Sequence, residues 1–216
     1  MKRKTLIVAV AVCLAAILAL GSLAVFTDDD NITNNFMVAG YDPDKPITPD
    51  ELFSVTVYET DKDGNQTEQG LTYDGIQPGD ELDKDPTVKN TGKYDQYVRV
   101  MVTVTNAKNW MEACKEHNIT DLTTIFGGYV DADWTRVDSP MYDIEKDTLT
   151  YTYYYNSVLK PGETATLFET VTIPLSFTVE NMVALQQFEL KVAADAIQSA
   201  HTGDNAVDAF ASYWGK

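Results

Sequence analysis

Tyr97-Val98-Arg99-Val100-Met101-Val102-Thr103-Val104 is the stretch on which the fold turns. Valine recurs at every second position, with Arg99, Met101 and Thr103 between. A period of two is the repeat of an extended chain, whose successive side chains point to opposite faces of a sheet. One face of this strand is therefore all valine and belongs against a core. The other carries larger and more polar groups. Valine's branched β-carbon favours the same conformation.

The pattern repeats in both directions along the chain. Leu52 to Tyr58, Leu149 to Tyr155 and Leu167 to Ile173 are dense in β-branched and aromatic residues, and Phe188-Glu189-Leu190-Lys191-Val192 alternates apolar with charged. Turn chemistry separates these runs at Asp63-Gly64, Pro78-Gly79, Asn90-Thr91-Gly92 and Pro161-Gly162. Many strands broken by turns predict an all-β, antiparallel sandwich. Two segments depart from it. Ala107 to Glu116 reads as a helix, and Thr120 to Phe126 as a further helical turn, which gives a helical insertion over about 107–126. Near the C-terminus, Ala206, Val207, Phe210 and Trp214 fall at helical spacing behind a cap at Asp204 or Asn205. The expectation is a helix that docks an apolar stripe on the sandwich.

The N-terminus has a different character. Lys2, Arg3 and Lys4 precede an uncharged apolar run from Leu6 to Leu20, which closes on Gly21-Ser22-Leu23-Ala24 before the acidic Asp28-Asp29-Asp30. A basic start, an apolar middle and small residues before a cut make a secretory signal peptide. The expected cleavage is after Ala24, within a residue, leaving 25–40 as an N-terminal strand and 41–216 as one sandwich domain. A retained anchor is the competing reading, since about 17 to 25 apolar residues span a bilayer. A lipoprotein anchor on Cys13 is disfavoured by Val12, where Gly or Ala is wanted. The expected product is secreted, with no membrane association after cleavage.

Charge and cysteine content narrow the function classes. The chain has 16 Lys and Arg against 33 Asp and Glu, and three of the basic residues lie in the leader. The mature surface, at a net charge of about −20, repels nucleic acid and anionic lipid. Cys114 is the one cysteine left after cleavage, so no intramolecular disulfide forms, and the domain must rely on its core. Placed on a helix, it reads as a small buried apolar group.

Catalysis finds few residues. His117 and His201 are the two histidines, outside any H-E-x-x-H arrangement, and Cys114 with His117 on one helix is not a triad. The expectation is a protein that is not an enzyme and needs no cofactor. Calcium is the one open possibility: Asp28 and Asp30, and Asp61 and Asp63 in Asp61-Lys62-Asp63-Gly64-Asn65, group oxygen ligands in loops. An Asp-Gly hairpin turn in solvent is the favoured reading of the second group. Tyr151, Tyr153 and Tyr155 on one face, with Tyr154 opposite, could stack sugars or pack a core. The sugar-binding reading would make the protein a monomeric adhesin or glycan module.

After the cleavage site, Ile32, Asn34, Phe36 and Val38 share one face of an extended stretch that ends at Gly40. Such a strand can pair with its own sheet, or add to the edge of a neighbour's, where backbone hydrogen bonds supply affinity.

These pieces together resemble the TasA/camelysin family. Ala24-Val25-Phe26-Thr27-Asp28 with Asn35-Phe36 and Gly40 is similar to the start of proteins cut by the SipW-type signal peptidase of Gram-positive bacteria. Val88 to Gly92, Tyr97 to Val100, Tyr153 to Asn156, Leu159-Lys160-Pro161-Gly162-Glu163 and Ala196-Ile197-Gln198 continue the likeness to about residue 200. The resemblance implies a jelly-roll sandwich, processing by that peptidase, and an extracellular biofilm-matrix role at the cell surface. It also implies self-association into fibres, with Val25 to Val38 as donor and Ile32, Phe36 and Val38 inserting. Camelysins have been classed as metallopeptidases, but no ligand set here matches that activity.

Overall fold

A computed structural model describes residues 52–120 and 125–214. Among the described residues, twelve strands and three helices make an antiparallel β-sandwich. The strands are β1 (Val55–Thr60), β2 (Gln66–Thr67), β3 (Glu81–Asp83), β4 (Thr87–Asn90), β5 (Gln96–Thr105), β6 (Phe126–Gly127), β7 (Trp134–Arg136), β8 (Met141–Asp143), β9 (Thr148–Tyr155), β10 (Thr164–Thr166), β11 (Thr170–Thr172) and β12 (Leu190–Gln198). The helices are α1 (Ala107–Glu116), α2 (Val179–Leu185) and α3 (Ala206–Trp214). The largest sheet runs β12-β5-β9-β7, with β8 sharing the outer edge of β9. A second runs β10-β4-β1-β2 and a third β3-β11-β6.

The valine strand lies inside the largest sheet, paired with β12 and β9. Val98, Val100, Val102 and Val104 are each at 0% exposure, while Arg99, Met101, Thr103 and Thr105 alternate outward. Strand β9 matches it, burying Leu149, Tyr151 and Tyr153. Facing them in one core are Val88, Ala165, Leu167, Phe168 and Val171 from the other sheets. Helix α1 closes this core with Ala107, Trp110, Ala113 and Cys114, so it is a wall of the sandwich rather than an appendage.

The Leu167 to Ile173 run is not one strand. Leu167 and Phe168 are buried at a bend between β10 and β11, and the chain crosses there from the second sheet to the third. The insertion also ends earlier than expected. Phe126 is in strand β6 rather than a helical turn, its ring stacked on Phe168 at 4.4 Å; residues 121–124 lie outside the described residues. Helix α2 was not expected from the sequence. Its signal is a reciprocal cap: Asn181 N–H donates to Thr178 Oγ1 at 3.2 Å, and Thr178 N–H donates to Asn181 Oδ1 at 2.8 Å.

Helix α3 covers the outer face of the largest sheet, where Ala206, Ala209 and Phe210 pack on Tyr97 and Ile197. Asn205 is its cap, accepting from Asp208 N–H at 3.0 Å. The buried stripe runs through Ala209 instead of Val207, which is 41% exposed. Arg99 ties sheet to helix: its Nε donates to Asp195 at 3.0 Å, and its guanidinium lies 4.9 Å from the centre of the Phe210 ring.

Candidate functional site

The feature of this sandwich that invites a partner is the outer edge of β12. The other strands that end sheets, β10, β2, β3, β6, β7 and β8, are two or three residues long. Strand β12 has nine residues and, among the described residues, pairs only with β5. Thr105 N–H donates to the Glu189 carbonyl at 3.0 Å. Antiparallel pairing alternates, so the amides and carbonyls of Leu190, Val192 and Ala194 point away from β5. Their side chains are the ones that face the core, opposite Val104, Val102 and Val100. An edge of this length, carrying no proline, is a template for another strand.

A groove of about 930 Å³ runs beside this edge. Val57, Leu82, Val171, Leu185, Phe188 and Val192 are among its apolar walls. At its base, a buried ion pair joins Lys84 Nζ to Glu59 Oε1; the two residues are 8% and 6% exposed. The second carboxylate oxygen, Glu59 Oε2, is buried with no hydrogen-bond partner among the described residues. A half-satisfied buried carboxylate is costly, so this oxygen is a ready acceptor. Tyr73 lies on the same groove and donates its hydroxyl to the Asp83 carbonyl. Its pKa is raised to about 12 by burial, then by the negative charges of Glu59, Asp83 and Asp85.

The sequence-derived candidates distribute as follows. Asp61 serves its own turn: Oδ1 accepts from Asp63 N–H at 2.9 Å and Asn65 N–H at 2.8 Å. Those bonds, that from the Asn65 amide foremost, hold its carboxyl below the usual range. Asp63 is exposed in the same turn, which links β1 to β2 as a hairpin. No group of three His, Cys, Asp or Glu suited to a metal occurs among the described residues. Tyr151 and Tyr153 are core residues, Tyr155 packs on Trp134 at 5.1 Å, and Tyr154 on Phe210 at 5.7 Å. The tyrosine face is thus packing, not a sugar platform. His117 Nε2 meets Asn181 Oδ1 at 2.8 Å, joining α1 to α2. Cys114 is buried, and burial pushes its thiol up to about 11. Ala24, Asp28, Asp30, Ile32, Phe36 and Val38 lie outside the described residues.

Two of the family-like motifs, Val88 to Gly92 and Leu159 to Glu163, meet in a buried knot. Asn90 Nδ2 donates to the carbonyls of Tyr94 and Leu159, each at 2.8 Å, and Oδ1 accepts from Gly92 N–H at 2.9 Å and Gln96 Nε2 at 2.5 Å. Gly162 and Glu163 close the other side: Gly162 N–H donates to the Asn90 carbonyl at 2.9 Å, and Asn90 N–H donates to the Glu163 carbonyl at 3.0 Å. Gly92 is required by contact. A Cβ there would sit 2.5 Å from the Leu52 carbonyl oxygen and 2.9 Å from the Ser54 nitrogen. These motifs are therefore a structural fastening between strands, away from the groove.

No family model, curated protein or solved structure matches the chain. The likeness to TasA and camelysin rests on the quoted motifs. Among the described residues no helix is long and apolar enough to cross a membrane.

Proposed function

We propose that this protein is a secreted, non-enzymatic structural subunit of a Gram-positive cell surface or biofilm matrix. Its copies join by N-terminal strand donation. The observation that carries the reading is the long edge of β12, unpaired among the described residues, with a groove beside it whose walls include Val57, Leu82, Val171, Leu185 and Val192. A strand with one apolar face, such as Ile32 to Val38, satisfies both: its backbone completes the sheet and its side chains fill the groove. The leader, the acidic mature surface and the single buried thiol suit work outside the cell. In this reading a signal peptidase of the SipW type frees the strand by cutting after Ala24.

The test is electron microscopy and sizing of the chain from residue 25 onward. The parent should form filaments. Deletion of Val25 to Gly40, and Phe36→Asp separately, should leave particles of subunit size whose circular dichroism remains that of a β-sandwich. A Phe36 carboxylate replacement would bury a charge in the groove at a cost of several kcal/mol by order of magnitude. Filaments of parental length from both variants would sink the proposal.

A further inference from the structure

We propose a second, weaker contact between copies of this chain, in which the aliphatic ridge of α2 on one copy seats in a cleft between α1 and the β8–β9 hairpin of another. The five most exposed large apolar side chains among the described residues fall in two places. Leu175, Val179 and Val183 run along α2 and the turn before it, and Met141 and Ile144 lie in and just after β8. They are 62% to 80% exposed, and no other large apolar residue described exceeds 48%. Single exposed apolar residues are ordinary, whereas apolar patches mark contact surfaces.

Helical spacing makes the ridge. Val179 and Val183 are four residues apart, about 6 Å along the axis, on the side of α2 opposite Asn181. Asn181 turns inward to α1: its Nδ2 donates to Glu116 Oε2 at 2.9 Å, and its Oδ1 meets His117 Nε2 at 2.8 Å. The cleft lies on the other flank of α1. Lys108, Met111, Glu112 and Lys115 share that flank at i, i+3, i+4 and i+7. Tyr142, Ile144 and Asp147 face them across about 610 Å³ lined mostly by apolar surface. Asp147 fastens the hairpin to the helix, accepting from Lys108 N–H at 2.9 Å and from the Tyr142 hydroxyl at 3.3 Å.

Charge favours a second copy as the occupant. Lys108 and Lys115 stand roughly 10 Å apart along α1, and neither makes an ion pair among the described residues. Glu180 stands exposed beside the ridge, its carboxyl held below the usual range by its own amide and the Thr178 hydroxyl. Between Lys160 and Lys191 the sequence holds no Lys or Arg. An apolar ridge with an acidic rim thus matches an apolar cleft bracketed by two cations. Because ridge and cleft lie on opposite flanks of α1, the contact is head-to-tail, and a copy that uses its ridge keeps its cleft for the next. Three aliphatic side chains bury far less than the roughly 1,200 Å² of a stable interface, so a pair forms at millimolar rather than micromolar concentration. In the fibre reading proposed above, the same contact repeats along neighbouring fibres and its effect multiplies.

Backbone amide shifts of the chain from residue 25 onward test this, in a Phe36→Asp background where the proposed strand donation would be blocked. Salt of about 0.15 M screens repulsion between the acidic surfaces beyond about 8 Å. Raising the subunit from micromolar to millimolar should move the amides of Val179 to Val183 and of Met111 to Lys115 with one common midpoint. Val183→Asp alone and Ile144→Asp alone, each setting a charge in the apolar contact, should abolish both sets of movements. Every contact in either sample then lacks one half. Mixed, the two variants should pair once: unlabelled Val183→Asp should move the Val179 to Val183 amides of labelled Ile144→Asp and leave its Met111 to Lys115 amides still. Movement at the parental midpoint in either variant alone, or a mixture that moves no amide, would overturn the contact. So would shifts independent of concentration in the Phe36→Asp parent. The presence or loss of filaments judges strand donation separately, so either reading can fail while the other stands.

Discussion

Replacing Asn90 with alanine should destabilise the domain by about 3–4 kcal/mol, although the residue contributes no apolar packing. Its side chain makes four buried hydrogen bonds, to Tyr94, Leu159, Gly92 and Gln96. Three of those partners keep a second bond. The Leu159 carbonyl still accepts from Gln96 N–H at 3.0 Å, while Gly92 N–H and Gln96 Nε2 still reach the Ser54 carbonyl at 3.1 and 3.2 Å. The Tyr94 carbonyl is left without a described donor. Weakening several bonds at about 1 kcal/mol net each, with one orphaned carbonyl at about 1–3 kcal/mol, gives that sum. For a domain of this size, each kcal/mol moves Tm by about 2–4 °C, so a fall of roughly 10 °C is expected. Asn90→Asp keeps the volume but loses both donors and aims a carboxylate at two carbonyls, so it should be worse than alanine. Urea unfolding measures both changes, in a Phe36→Asp background chosen because the proposed strand donation would be blocked there. A loss under about 1 kcal/mol for alanine, or an aspartate milder than alanine, would refute the reasoning, because each requires the knot to be wet.

Gly92→Ala should cost about 1–3 kcal/mol, because its Cβ would meet backbone atoms of Leu52 and Ser54 that cannot swing aside; an unchanged urea midpoint would contradict this. Phe210→Ala should cost about 3–5 kcal/mol and loosen α3, raising amide exchange on that helix while β5 stays protected. Cys114 should resist a thiol reagent at pH 8 in the folded protein and react at once in urea. The folded state holds that thiol's proton up to about 11, against an ordinary value of 9.0. Its contribution to stability is therefore full below pH 9 and lost as pH rises towards 11. A stability profile flat across that window in the parent, but not in Cys114→Ala, would reverse the sign of this argument.

What could be read without coordinates was whatever depends on neighbours along the chain. The alternation of Val98 to Val104 determined a strand with one buried face, the Asp61 to Asn65 turn a hairpin, and the spacing from Ala107 to Glu116 a helix. Each is set by backbone geometry over a few residues. The four tyrosines at 151, 153, 154 and 155 were assigned to opposite faces correctly, but alternation is silent on what covers a face. Only the fold brought Trp134 over Tyr155 and Phe210 over Tyr154. The bend at Leu167 and Phe168 was hidden because a strand that changes sheets keeps the composition of a continuous one. Helix α2 is short, and a Thr178–Asn181 cap before two turns is a weak signal in sequence.

The groove is the clearest case of tertiary decision. Glu59 on β1 and Lys84 between β3 and β4 stand 25 positions apart, and each looks like an ordinary surface charge. Burial side by side makes one an ion-pair partner and leaves the other with a free acceptor. Likewise, Phe188 to Val192 is legible as a strand from its alternation, but whether both edges of β12 are paired depends on the order of strands in the sheet. That order is fixed by contacts distant in sequence, so it belongs to the folded domain alone.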